Sequence, residues 1–277
     1  MHVCFKVNGV TLGMLLASDF WIYLVTGFIA QLIGSLLGMG YGMVSSAVLL
    51  TLGIAPAVAS ASANTASFVT TTVASWFHHK AGNVDKKTLF FLAIPGVIGS
   101  VFGALFVSHA PIPFIKPFIG TYLIVVSLII IRKSFVKYEP QEIPVSHLVP
   151  LGLIGGAFGS IGGGGWGPLV NSHLVANGQS PRLSIGSSNA AKCFTTFAAA
   201  ATFAVVLKSC NVAAIVGLML GGLVAAPIAA YACKRMPQTA LMVSMAVLLM
   251  CISGKILHES FFSTKPAIAL KSIMPTH

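Results

Sequence analysis

The sequence predicts an all-α polytopic membrane protein. It is built from two homologous repeats, each with about four full spans plus a short broken or re-entrant half-helix behind a glycine-rich break. Three observations carry this. Of 277 residues, 56% are hydrophobic and only 8% charged, and mean hydropathy is +0.92, whereas a soluble domain carries about a quarter charged residues. The runs "FWIYLVTGFIAQLIGSLL" (20–37), "TLFFLAIPGVIGSVFGALFV" (88–107) and "NVAAIVGLMLGGLVAAPIAAY" (211–231) hold no charge, and each approaches the ~20 residues that cross hydrocarbon. The chain also matches itself at a shift of 125 positions. Gly38, Gly40 and Gly42 fall on Gly163, Gly165 and Gly167, Gly53 on Gly178, Pro56 on Pro181, Ser62 on Ser187 and Asn64 on Asn189. About a third of positions 34–72 are identical without a gap, stronger than the weak internal symmetry usual in transporters.

Residues 1–19 read as a lead-in to the first helix rather than a cleaved signal, since no clean small-residue cleavage site follows the apolar run. Repeat 1 covers 20–133: a span (20–37), a glycine run, the short apolar piece "MVSSAVLLTLGI" (43–54), a small-polar-rich span (57–78), and two closing spans (88–107 and about 114–131). The linker 134–146 is polar and proline-broken. Repeat 2 covers 147–258 in the same order, with "PLVNSHLVAN" (168–177) as its short piece, and 259–277 is a tail. Each short piece would reach only about 15–18 Å as helix, too little for about 30 Å of hydrocarbon. It is therefore re-entrant or half of a broken helix. An odd number of crossings per repeat makes the copies inverted and an even number makes them parallel. The inverted arrangement is favoured, because it brings both half-helix starts to the midplane.

Glycine destabilises a helix, so the runs "LLGMGYGMVSS" (36–46) and "GSIGGGGWGPLV" (159–170) mark backbone with another task. Unwound backbone at membrane depth is tolerated where it is buried in protein or lines a wet cavity. The half-helix behind it offers free N–H groups and a positive dipole end to an anion. Close helix packing through small residues is the competing explanation.

The net charge of +11 does not point to nucleic acid, because Lys80, Lys86, Lys87, Arg132, Lys133, Lys137, Lys234 and Arg235 sit in short loops and at span ends, as juxtamembrane basic residues do. The five acidic residues, Asp19, Asp85, Glu139, Glu142 and Glu259, all lie at or beyond span ends. None of the five cysteines forms a CxxC or metal-spaced set. Trp21, Trp76, Tyr122 and Tyr138 read as interfacial aromatics, and Trp166 as either a cavity wall or core packing.

The duplicated glycine run before a short apolar segment, the downstream "SASANTASFVTTT" (60–72) and "IGSSNAAKCFTTF" (185–197), and the "GNVD" loop within "HHKAGNVDKK" (78–87) together resemble the TauE/SafE sulfite-exporter family, also called TSUP permeases. The resemblance covers nearly the whole chain. It implies a permease for small anions, with sulfite, organosulfonates and related sulfur or carboxylate anions as the usual substrates. It also implies a multi-pass protein of the bacterial cytoplasmic membrane.

The candidate substrate-binding residues are Gly38, Gly40, Gly42, Ser62 and Asn64 in the first copy and Gly163, Gly165, Gly167, Ser187, Asn189 and Lys192 in the second. Asn64 and Asn189 are equivalent by repeat and have amide N–H groups for an oxyanion. Lys192 stands where the first copy has Ser67, about ten residues into an uncharged stretch. An ammonium there costs at least ~2.5–3.5 kcal/mol and has no intramembrane carboxylate to pair with. His173 is the one imidazole in an apolar setting near the repeat cores, so a coupling proton would use it. The partners read here are a small anion, a coupling proton and the bilayer, with no cofactor and no nucleic acid. A channel or metal permease is the alternative, although hard cations usually want carboxylates. An intramembrane enzyme is a weaker one, since no acid–base pair, HExxH or nucleotide loop is present.

Overall fold

The helices follow the apolar runs. The computed structural model describes residues 18–37, 40–134, 144–163, 165–171, 173–174, 177, 179, 181–207, 210–232 and 238–262, and among them helix is the only regular structure. The order is α1 Ser18–Leu37, α2 Tyr41–Thr51, α3 Pro56–Lys80, α4 Lys86–His109, α5 Ile112–Ser134, α6 Val145–Gly162, a π-helical turn Gly167–Asn171, α7 Pro181–Val206, α8 Val212–Ala232 and α9 Gln238–Phe262. Three stretches, Lys86–His109, Val145–Gly162 and Leu183–Val206, are long and apolar enough to span a membrane. Most of the inter-repeat linker, and Tyr138 with it, lies outside the described residues.

Local chemistry sets several of the boundaries. Pro56 opens α3, where its missing N–H is no loss. Asp85 caps α4, its carboxylate accepting the Thr88 N–H at 2.8 Å. Gly163 ends α6 at φ 69°, a left-handed conformation that L side chains rarely adopt.

The side chains are sorted as in a membrane protein. On α4 the buried residues include Gly96, Gly99, Ser100, Gly103 and Ala104, while Phe90, Ile94, Ile98, Phe102 and Phe106 face outward. Bulk faces the hydrocarbon, and small or polar groups face protein, where they let backbones approach. Gly99 abuts the Leu153 backbone and Gly103 the Ala157 backbone, while Gly152 lies on Leu92 and Gly156 on Gly96. The contacts advance together, so α4 and α6 run parallel. Gly27, Gly217 and Gly221 do the same for α1 and α8, meeting Leu218, Tyr23 and Leu24. On α3 and α7, the Phe68 ring lies 5.2 Å from that of Phe197 and Thr72 Oγ1 is 3.1 Å from Cys193 Sγ. The numbering runs oppositely, so these two helices are antiparallel.

Two expectations change. The described part of the second short piece opens as a π-helical turn rather than as regular α-helix, and it runs back along α6, the re-entrant one of the two courses expected. Trp166 packs on Gly159 and Gly155, Val170 on Gly155, and the His173 ring lies 6.1 Å from that of His147. Pro168 contributes no backbone N–H to this turn, and Leu169 N–H bonds Gly165 O at 3.3 Å. Tyr122 is not interfacial. It is 9% exposed and stacks on Phe158 at 4.9 Å. Trp21 and Trp76 face outward, at 57% and 60% exposure.

Candidate functional site: a crossing of two glycine breaks

The two glycine breaks meet each other. Gly40, at φ 108°, precedes α2 without a side-chain cap. Two residues on, Gly42 lies against the carbonyl of Gly163, where α6 ends. Gly163 in turn contacts Ser46 Oγ and the Ala63 methyl, and Gly165 faces the Tyr122 hydroxyl and Phe158. Gly167 is buried at the head of the π-helical turn. Gly38 lies outside the described residues. Much of the glycine signal is thus close packing of backbone on backbone, placed where both chains reverse.

The last turn of α6 leaves carbonyls without helical partners, and α3 supplies donors. Ser60 Oγ donates to Ile161 O at 2.6 Å. Asn64 Nδ2 donates to Ser60 O at 2.8 Å and to Ser160 O at 3.4 Å. Those acceptors are carbonyls, so the amide orientation is fixed by chemistry. Both N–H groups of Asn64 are engaged, and its free atom is Oδ1.

At the crossing, the hydroxyls of Ser46 and Tyr122 are buried and have no hydrogen-bond partner among the described residues, and on α2 and α3, which meet there, the same holds for Ser45, Ser62 and Ser67. Buried polar groups are nearly always paired, so such a cluster asks for a ligand or a water. Neither Ser46 nor Tyr122 is among the candidate substrate-binding residues read from sequence. Ser46 looks like an ordinary small residue of the short apolar piece, and the hydroxyl of Tyr122 sits in an otherwise apolar run.

Lys192 is 6% exposed. Its carbonyl accepts from Thr195 and Thr196, and its ammonium has no partner among the described residues. One turn earlier, Ser188 receives the Trp166 indole N–H through both its carbonyl and its hydroxyl, at 3.1 and 2.9 Å. Trp166, 2% exposed, is therefore a packed anchor pinning the second break to α7. Asn189 is half-buried, and its amide is unengaged among the described residues. The structure does not bring the two asparagines together. In the antiparallel α3/α7 register, Asn64 falls opposite Ala201, twelve residues from Asn189, or about 18 Å along the axis.

Ser187 has a different neighbour from Ser62. It accepts the Asp85 N–H at 2.8 Å, and Gly186 lies against Asn83, so the "GNVD" loop docks on α7. Burial raises the Asp85 carboxyl pKa, but the Thr88 and Lys87 hydrogen bonds and the Lys87 charge outweigh it and hold the group below its usual value. A depressed carboxylate contributes stability above its unfolded pKa and loses it as pH falls through the folded one. Asp85→Ala is expected to cost about 1 kcal/mol. Asp85→Asn keeps the cap geometry and lacks the charge. The melting-temperature gap between wild type and Asp85→Asn should therefore close as pH drops below about 4. A gap constant from pH 7 to 3 would exclude the charge contribution.

His173 is half-buried, set beside His147 near the start of α6 and away from the glycine crossing.

With this geometry in view, comparison with known proteins gives two matches. The family described as "Sulfite exporter TauE/SafE" matches residues 23–256. The chain is 38% identical over 223 residues to the "Probable membrane transporter protein YtnM" of Bacillus subtilis (strain 168), covering 77% of this chain and 74% of that one. No solved structure matches significantly. An all-helical chain with outward-facing bulk, membrane-length helices and duplicated glycine breaks, matched along most of its length, belongs to the TauE/SafE family of membrane transporters.

Proposed function

We propose that the protein is a permease for small oxyanions such as sulfite, organosulfonates or related carboxylates, working by alternating access between two inverted halves in a bacterial cytoplasmic membrane. The observation that carries this is the buried lysine Lys192, 6% exposed, on the helix that anchors one glycine break. A lysine with no partner among the described residues is costly at membrane depth, and an anionic substrate offsets the cost. Asn189, one turn away on α7, adds an amide donor. The inverted arrangement is supported by the antiparallel register of α3 and α7, which are equivalent under the sequence shift. A two-fold axis lying in the membrane plane relates equivalent helices antiparallel, and an axis along the normal relates them parallel. Substrate sites at the interface of inverted repeats, beside discontinuous helices, are a recurrent transporter design.

The test is uptake and counterflow in proteoliposomes with radiolabelled sulfite, taurine and a short carboxylate. Saturable, trans-stimulated flux of at least one anion is expected. Flux that rises linearly with concentration and shows no counterflow would instead fit a channel.

A further inference from the structure

We infer that the first half holds a monovalent alkali cation of the sodium class, bound between Ser46, Asn64, Ser67 and the C-terminal end of α6. The inference rests on the two-half transporter reading above and names its coupling ion.

The groups here are oxygens, and the polarity of one of them, the Asn64 amide, is fixed. Asn64, 1% exposed, has both amide hydrogens committed to backbone carbonyls, which leaves Oδ1 as a lone acceptor. Ser46 and Ser67, 1% and 0% exposed, have hydroxyls without a hydrogen-bond partner among the described residues. Ser46 Oγ touches Gly163, the residue that ends α6. Asn64 and Ser67 lie on the face of α3 that carries Ala63, also in contact with Gly163. The end of α6 is the negative pole of its dipole. An amide oxygen at a negative helix end disfavours an anion, and serine hydroxyls can turn their lone pairs toward a hard cation beside it. With no acidic side chain within the spans, the shell is neutral. That disfavours a divalent ion, which relies on carboxylates. Broken-helix carbonyls joined by side-chain oxygens are a known way to bind sodium.

The sequence shift supplies a second argument. The position equivalent to Ser67 is Lys192, and that equivalent to Asn64 is Asn189. The second half thus carries a tethered ammonium where the first half has only a short hydroxyl.

The experiment follows thermal unfolding of the purified full-length protein in detergent, without added substrate, in sodium, potassium or choline chloride at equal ionic strength. Sodium is expected to raise the midpoint saturably over choline by about 2–4 °C. Ser46→Ala should shift the half-saturating sodium concentration upward at least tenfold. Ser67→Lys, which copies the other half, should unfold at the same temperature in all three salts. Ser127→Ala removes a hydroxyl already bonded to Leu123 O and should keep the full response. Lys192→Met should also keep it while losing anion affinity, so failure of the cation site and failure of the anion reading are separable. Equal midpoints in sodium and choline, or an undiminished response in both Ser46→Ala and Ser67→Lys, overturns the inference. So does anion uptake driven by a proton gradient in sodium-free buffer and lost in His173→Gln.

Discussion

Gly42→Ala is expected to abolish the folded transporter. A methyl at that position would sit on the carbonyl of Gly163, and neither partner is a flexible side chain that can swing away. Ordinary overpacking costs about 1–3 kcal/mol. Here relief requires one glycine break to withdraw from the other, so the effect should exceed that range. The readout is the monodisperse fraction in size-exclusion chromatography and the unfolding midpoint. Gly254→Ala is the matched control: nothing lies within 4 Å of its added methyl, it is inside α9, and helix propensity alone should stabilise it by up to about 1 kcal/mol. Comparable behaviour of the two variants would remove the crossing from the structural argument.

Lys192→Met is expected to leave the protein folded and to impair transport. Methionine keeps the apolar stem, and the desolvation cost of the ammonium disappears, so the unfolding midpoint should hold or rise. Loss of a charge-assisted hydrogen bond to the anion should weaken affinity by about 1.5–3 kcal/mol, or roughly 10- to 150-fold. Lys192→Arg should restore part of this, because its donors are fixed in a plane. Concentration-dependent uptake in proteoliposomes decides the matter, and an unchanged half-saturating concentration in Lys192→Met would falsify the anion reading.

The long helices were legible because composition and apolar length set them. So was the importance of the glycine pairs, since their recurrence at one shift is written in the chain. What each glycine meets was not. Gly42 touches Gly163, a partner 121 positions away, and only assembly of the helices reveals that contact. Asn64 shows the limit at the level of single atoms. The sequence shows an amide, which can donate or accept. The carbonyls of Ser60 and Ser160 decide which end remains free. Asn189 carries the same letter without those partners, so repeat equivalence did not mean chemical equivalence. Tyr122 was misplaced for a related reason. An aromatic with a polar tip suits an interface, but it also suits a buried pocket opposite a glycine, and only the neighbours Gly165 and Phe158 distinguish the two.

The parallel clasps between α1 and α8 and between α4 and α6 also bear on how the chain is made. Gly27 has its contact on Leu218, so α1 enters the bilayer long before its partner exists. At roughly 5–20 residues per second, synthesis from one to the other takes on the order of ten seconds or more. During that wait the glycine face of α1 has only lipid, or an insertion chaperone, to lie against. The first half made alone would stay in that condition, with α1 and α4 both lacking their mates. Supplied as two separate polypeptides, the halves should each be short-lived, and each should persist only when the other is produced in the same membrane.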